Sequence, residues 1–248
     1  MISLSDLIVK PWELYRKKFK ALLPLIGLIF AVAALESILR SFFSADAALS
    51  ITNFLISLPF FLAALWTTVL AIEFLARTVR GEKLNLKELC AVSLKKLPMA
   101  ILISVVVGAA VIGGTILLII PGIIFAVWFN FALYAYILEG KKYLEALKES
   151  KILVTGRWFP VFWRLAAINL FWGLVSLAAI LGLSWLLRLP FGQLAAGGAP
   201  YETLRILLPL LSGAIFSLTT PLVIIGSLML FMDLRESRSL IPLETQQH

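Results

Sequence analysis

Long apolar runs alternate with short polar segments along the whole chain. A spanning helix needs about 20 predominantly apolar residues, and six runs approach or exceed that length. The predicted spans cover residues 21–43, 51–76, 98–120, 123–138, 159–187 and 204–232. The pattern therefore predicts an all-α integral membrane protein with six transmembrane helices. We expect one polytopic membrane domain over residues 1–238 and a flexible tail over residues 239–248.

Three polar segments carry basic and apolar residues on opposite faces of a predicted helix: residues 4–20, 85–97 and 141–157. In the last of them, Tyr143, Ala146, Leu147, Leu153 and Val154 share one face, and Lys141, Lys142, Glu145, Lys148 and Glu149 share the other. Helices with this pattern lie in the membrane interface with the apolar face in the acyl boundary. We therefore expect three basic amphipathic interfacial helices, one before each pair of spans.

Local signals predict where several helices begin or turn. Pro11 should start or kink the first amphipathic helix, because proline has no backbone N–H to donate. Asn85 and Glu88 have the spacing of a capping box at the start of the second. Pro121-Gly122 should turn the chain sharply between the third and fourth spans, which predicts a tight hairpin. Two ion pairs spaced four residues apart are predicted at Glu36–Arg40 and Glu73–Arg77.

The basic residues predict the topology. Of the 22 Lys and Arg residues, all but Arg40, Arg188 and Arg205 fall on the side of the membrane that the two termini share. Cytoplasmic segments carry an excess of Lys and Arg, so both termini and the three amphipathic helices should be cytoplasmic. The net charge of +8 is distributed over these flanking segments, so a nucleic-acid partner is not expected.

Composition and motifs exclude most catalytic chemistry. A chain with 61% hydrophobic and 15% charged residues does not fit a water-soluble globule. The single Cys90 and the single His248 exclude an internal disulfide and a Cys/His metal cluster. No P-loop, nucleophile elbow or zincin motif occurs. We therefore expect no enzyme activity, no cofactor and no metal.

A set of short motifs in residues 117–165 resembles a known family. The motif residues are Pro121, Gly122, Glu139, Gly140, Ser150, Gly156, Arg157 and Trp158. This stretch resembles the membrane domain of bacterial and archaeal glycerophosphoryl diester phosphodiesterases, and equally their stand-alone six-span relatives in the inner membrane. The resemblance implies structural motifs and a prokaryotic inner-membrane location. It does not imply hydrolysis, because the soluble barrel that carries that activity has no counterpart here.

Two functions remain open. The first is a non-catalytic membrane module whose basic helices contact anionic inner-leaflet lipid. The predicted contacts are Arg16, Lys17, Lys95, Lys96, Lys141, Lys142 and Lys148. A separate enzyme and a second copy of this chain are the alternatives for a protein partner.

The second function is a transporter or permease subunit for a lipid or small solute. Asn53, Asn130 and Asn169 lie inside spans, and we expect them to cross-link helices rather than line a path. A polar cavity reaching the bilayer midplane would favour transport, and a solid apolar bundle would favour the module.

Overall fold

The computed structural model describes residues 2–42, 51–82, 85–186 and 202–239 of the chain. Within these ranges the regular secondary structure is α-helical. The helices are α1 (Asp6–Phe42), α2 (Ile51–Arg80), α3 (Leu86–Leu117), α4 (Ile119–Phe129), α5 (Ala132–Glu139), α6 (Tyr143–Val154), α7 (Trp158–Leu186) and α8 (Glu202–Ser239). The sequence also predicts an outer loop at 189–201; this loop and residues 240–248 of the predicted flexible tail lie outside what the structure describes.

Six helical segments are long and apolar enough to cross a membrane, which confirms the predicted number of spans. Five of them belong to α1, α2, α3, α7 and α8. The remaining one is formed by α4 and α5 together, over Ile119–Glu139. Neighbouring helices in the bundle follow the order α1, α2, α3, α4, α7 and α8, and α8 packs back against α1.

The segment 85–97 is not a separate helix, whereas a kink at Lys18 divides the segment 4–20 from the rest of α1. Each forms the first turns of a long helix, α1 or α3, that continues into the following span. Pro11 neither starts nor breaks α1; the departure from helical dihedral angles lies at Lys18, with φ −109° and ψ 15°. Pro98 likewise lies inside α3. The prediction of an amphipathic helix distinct from the following span is therefore wrong for 85–97, and it is confirmed in part for 4–20, where two helices meet at the Lys18 kink.

The hairpin between the third and fourth spans is present, but the chain turns at Leu118 and not at Pro121-Gly122. Leu118 has extended dihedral angles, φ −162° and ψ 148°, between the end of α3 and the start of α4. Pro121 lies in the first turn of α4, where backbone N–H groups have no partner within the helix, so the proline costs nothing there. Gly122 serves close packing: a Cβ added to it would lie 2.1 Å from Thr115 Oγ1.

Polar contacts gather the predicted cytoplasmic segments at one end of the bundle. The Ile2 N–H donates to Asp233 Oδ2 of α8 at 3.0 Å, and Arg164 Nε of α7 donates to the Ile2 carbonyl at 3.0 Å. Arg238 of α8 pairs with Glu149 of α6. We call this the basic end, comprising the first turns of α1, α3 and α7, the last turns of α2, α5 and α8, and helix α6. Which side of the membrane it faces remains a prediction.

Candidate functional site

The fourth span has a local break near its middle, where Phe131 has φ −93° and ψ 3° while Asn130 keeps α-helical dihedral angles. Helix α4 ends at Phe129 and α5 begins at Ala132, and Asn130 and Phe131 lie between them. Neither residue is a proline or glycine. With a rise of 1.5 Å per residue, Glu139 at the basic end lies about 12–14 Å from the break. The break therefore lies about two and a half helical turns from Glu139.

Ser150 of α6 pairs with the backbone at the break. Its hydroxyl donates to the Trp128 carbonyl at 2.6 Å and accepts from the Phe131 N–H at 3.1 Å. In an uninterrupted helix, these two backbone groups would bond to residues four positions away. Ser150 is fully buried, so it provides the polar partner that the hydrocarbon surroundings cannot. Lys151 adds a contact from the same helix, with its Nζ 4.6 Å from the centre of the Trp128 ring.

Helix α6 packs against protein and not against acyl chains. The predicted apolar face is correct, since Ala146, Leu147, Leu153 and Val154 are buried together with Ser150. This face contacts α4 and α5, and further contacts reach α3 and α8. The expectation that it lies in the acyl boundary is therefore wrong. The polar face includes exposed Lys142 and Lys148 and a partly exposed Lys141.

An apolar groove of about 890 Å³ lies between α2, α3 and the break. Its polar lining residues are Thr68, Ser104 and Asn130, and the rest of the lining is apolar. Phe61, Val105 and Ile112 line the groove and are each more than half exposed, so it opens sideways on the surface that a bilayer would cover. The described part of the bundle is thus neither a solid apolar core nor a polar channel.

Asn130 also lines a second cavity of about 200 Å³ between α4 and α7, together with Asn169. The expectation that Asn169 cross-links helices is wrong, because its Nδ2 donates to the Leu165 carbonyl of its own helix at 2.8 Å. Asn130 lies where the span is broken and between two cavities. The side chain of Asn53 lies outside the described residues.

A polar cavity of about 390 Å³ lies at the basic end between α2, α3 and α5. The Lys96 ammonium donates to Glu73 Oε2 at 2.9 Å and to the Ile137 carbonyl at 2.8 Å. Ile137 belongs to the last turn of α5, where a cation is favoured by the helix dipole. Tyr136 of the same turn donates to the Lys96 carbonyl at 3.0 Å. Arg80 and Glu82 complete the charged lining.

The predicted Glu73–Arg77 ion pair is confirmed at 3.3 Å. Arg77 also donates to Glu88 at 2.9 Å, which explains why the predicted capping box does not form. Asn85 is the N-cap residue of α3, but its side chain makes no capping hydrogen bond. The second predicted ion pair, between Glu36 and Arg40, is confirmed at 2.9 Å, and Arg40 also donates to Ser57 Oγ at 2.8 Å.

The remaining motif residues end and start helices around α6. Gly140 caps α5 with φ 67°, and Gly156 follows α6 with φ 80°, so each helix ends where a positive φ favours glycine. Glu139 is nearly buried and lies 2.9 Å from Arg235 Nε of α8, although the two atoms are not aligned for a hydrogen bond. The Arg157 carbonyl accepts from the Val161 N–H as α7 begins. Trp158 is the first residue of α7, and its ring stacks on Phe162 at 5.3 Å.

Most of the predicted lipid-contact residues are free of ion pairs in the described ranges. Arg16, Lys17, Lys95, Lys142 and Lys148 are exposed, and Lys141 is partly exposed. Lys96 differs, because it is held in the polar cavity by Glu73 and Ile137.

Sequence reasoning missed the break at Asn130, which has no proline or glycine to mark it. It noted Ser150 only through the family resemblance.

Within the residues that the structure describes, no group of three or more His, Cys, Asp or Glu side chains is placed to hold a metal ion. Comparisons with models of protein families, with curated proteins and with solved structures find no match to this chain.

Proposed function

We propose that this chain is a non-catalytic, multi-pass module of a prokaryotic inner membrane that concentrates anionic lipid at its basic end. The single observation that carries the proposal is a group of exposed cations at that end. They are Arg16, Lys17, Lys95, Lys142 and Lys148. In this proposal the basic end and both termini face the cytoplasm, as the charge distribution predicts. The resemblance to the phosphodiesterase membrane domain supports a role beside a separate enzyme of lipid breakdown.

Each exposed cation contributes a small free energy of lipid attraction, and these contributions add. A Lys or Arg near an anionic membrane surface contributes about 1 kcal/mol, which is about a fivefold enrichment of the anionic lipid beside it. Because these cations are exposed and sit at one end of the bundle, their contributions add over one leaflet. The attraction is screened by salt, with a Debye length of about 8 Å at physiological ionic strength.

The test is lipid enrichment around the whole protein. The chain is reconstituted in vesicles of mixed phosphatidylcholine and phosphatidylglycerol, then extracted with a nanodisc-forming polymer, and the lipid ratio is measured by mass spectrometry. Wild type should enrich phosphatidylglycerol severalfold over the vesicle ratio. A variant with Arg16, Lys17, Lys142 and Lys148 changed to Gln should lose that enrichment. The matched control changes the three lysines to Arg and should retain it, and equal enrichment by the Gln and control variants would overturn the proposal.

Sidedness has its own test, in a Cys90→Ser background. Lys148→Cys on α6 and Glu82→Cys after α2 should both resist a membrane-impermeant maleimide in intact cells and react after the membrane is opened. Because the contacts place both positions at the basic end, they should behave alike. Labelling of either one from outside the intact cell would refute the cytoplasmic assignment.

A transporter or permease subunit is the second candidate, and the break at Asn130 is the observation that favours it. Discontinuous spans near the bilayer midplane are a feature of many transporters, where they surround the substrate site. Asn130→Cys in the Cys90→Ser background tests this candidate. Reaction with an impermeant reagent from both sides of proteoliposomes would support alternating access. An unreactive thiol in the Asn130→Cys variant would oppose it and leave the lipid module as the better description.

A further inference from the structure

The apolar groove and the polar cavity are two separate openings between the same helices, and we call the pair the trough. Both are lined by α2, α3 and the fourth span, and they follow each other along the bundle axis. On α2 the groove ends at Thr68 and the polar cavity begins at Glu73; on α3 the corresponding residues are Ile103 and Lys96. At 1.5 Å per residue, the two linings are about 7–11 Å apart along these helices. The trough is therefore apolar toward the middle of the bundle and charged at the basic end.

The charged end has hydrogen-bond donors to spare. Lys96 uses two of its three N–H donors, on Glu73 and on the Ile137 carbonyl. Arg77 donates from Nε and from one terminal nitrogen, which leaves three of its five N–H groups. Arg80 is half exposed and lies 3.8 Å from Glu82, too far for a hydrogen bond. The unused N–H groups can donate to the oxygens of a phosphate, while Glu73, Glu82 and Glu88 pair with the same three cations from the protein side.

The apolar end suits hydrocarbon. Its volume lies within the range of about 300–1,000 Å³ that is usual for ligand sites, and its lining consists mainly of apolar side chains. The exposed positions of Phe61, Val105 and Ile112 leave a sideways entrance from the bilayer. An amphiphile standing in its own leaflet would thus present its chain to the groove and its headgroup to the charged cavity.

We propose that this trough binds one glycerophospholipid from the leaflet at the basic end. An acyl chain lies in the groove between α2, α3 and the helix break, and the phosphate lies against Arg77, Arg80 and Lys96. This proposal rests on the proposed lipid-handling function and deepens it, because it replaces a diffuse surface attraction with one defined site. The phosphate is the shared recognition element, so the site accepts both phosphatidylglycerol and phosphatidylethanolamine.

Gly108 provides the perturbation. It lines the groove, and a Cβ added there meets no heavy atom within 4 Å. Gly108→Leu should therefore fill the groove without displacing backbone. Gly113 lies on the same helix outside the groove lining and also has no atom within 4 Å of an added Cβ, so Gly113→Leu is the matched control. Equal melting temperatures of the two variants would establish that both fold.

The experiment is native mass spectrometry of the full chain in detergent, first as purified and then after delipidation and titration with dioleoyl phosphatidylglycerol or dioleoylglycerol. Wild type and Gly113→Leu should retain one phospholipid, and Gly108→Leu should lose it. Phosphatidylglycerol should bind about tenfold more tightly than dioleoylglycerol, as expected for charge-assisted hydrogen bonds, and Arg80→Gln should remove much of that preference. Equal lipid retention by the two leucine variants would overturn the proposal, and so would equal affinity for the two lipids.

The experiments distinguish a failure of the trough proposal from a failure of the proposed function. Phosphatidylglycerol enrichment in nanodiscs depends on the exposed cations and should persist in Gly108→Leu. A loss of enrichment in the variant with four Gln substitutions, combined with unchanged retention in Gly108→Leu, would uphold the lipid module and reject the trough. The reverse pattern would uphold the trough and reject the surface attraction.

Discussion

Replacing Ser150 by alanine tests whether a side chain of the surface helix α6 maintains the break in the fourth span. The substitution removes a fully buried hydroxyl that donates to the Trp128 carbonyl and accepts from the Phe131 N–H. Alanine fits the vacated space with little rearrangement. The two backbone groups then have no polar partner in surroundings that water does not reach.

The loss in the free energy of unfolding expected for Ser150→Ala has a lower and an upper bound. Side-chain hydrogen bonds inside membrane proteins contribute about 0.6 kcal/mol each on average, so two of them give about 1.2 kcal/mol. Two buried backbone groups left unpaired would cost about 1–3 kcal/mol each. We expect Ser150→Ala to lower the free energy of unfolding by about 1–6 kcal/mol. A shift of about 2–4 °C in melting temperature for each kcal/mol makes this loss measurable.

The assay is thermal unfolding of the purified protein in nanodiscs, followed by tryptophan fluorescence. Ser176→Ala is the matched control, because Ser176 is also buried in a helix but its hydroxyl donates to the Trp172 carbonyl of its own helix and lies 3.0 Å from the Thr219 hydroxyl. Its loss leaves no backbone group unpaired, so we expect at most about 1 kcal/mol. If Ser150→Ala has the same melting temperature as the wild type, the freed backbone groups must form helical hydrogen bonds that join α4 to α5. That result would refute the bridging role assigned to Ser150.

Two further predictions concern packing and surface contacts. Gly122→Ala should destabilise the α3–α4 hairpin by about 1–3 kcal/mol, because its Cβ would lie 2.9 Å from the Thr115 backbone nitrogen. Gly113→Ala, with open space around its Cβ, should instead stabilise α3 by about 0.5–1 kcal/mol, and the reverse ranking of melting temperatures would contradict the packing argument. A double-mutant cycle with Glu149→Ala and Arg238→Ala should give a coupling energy below about 1 kcal/mol. A larger coupling would mean that this contact fixes α6 more firmly than its partial exposure allows.

The sequence predicted features that arise from local physics. Hydropathy over windows of span length identified the six spans, and the positive φ of Gly140 and Gly156 explains where α5 and α6 end. Pro121 was misassigned because a proline in the first turn of a helix looks, in sequence, like one that breaks a helix.

The break at Asn130 could not be predicted from its neighbours. The run from Ile119 to Leu138 is apolar and contains no helix-breaking residue near position 130, so its periodicity fits one continuous span. What maintains the break is a hydroxyl some twenty residues later in the chain, brought in by the packing of α6. The groove depends on the same tertiary arrangement. Periodicity identified the buried face of α6 correctly and could not say whether lipid or protein covers it.

The packing order of the helices has a consequence for biogenesis. Helix α1 packs most extensively against α8, and the Ile2 backbone bonds to Asp233 near the end of α8. At a translation rate of about 5–20 residues per second, some 10–30 seconds pass between the synthesis of α1 and that of α8. During that interval the nascent chain must shelter the α8-facing side of α1 with lipid or with an insertase, so final assembly awaits the last helix.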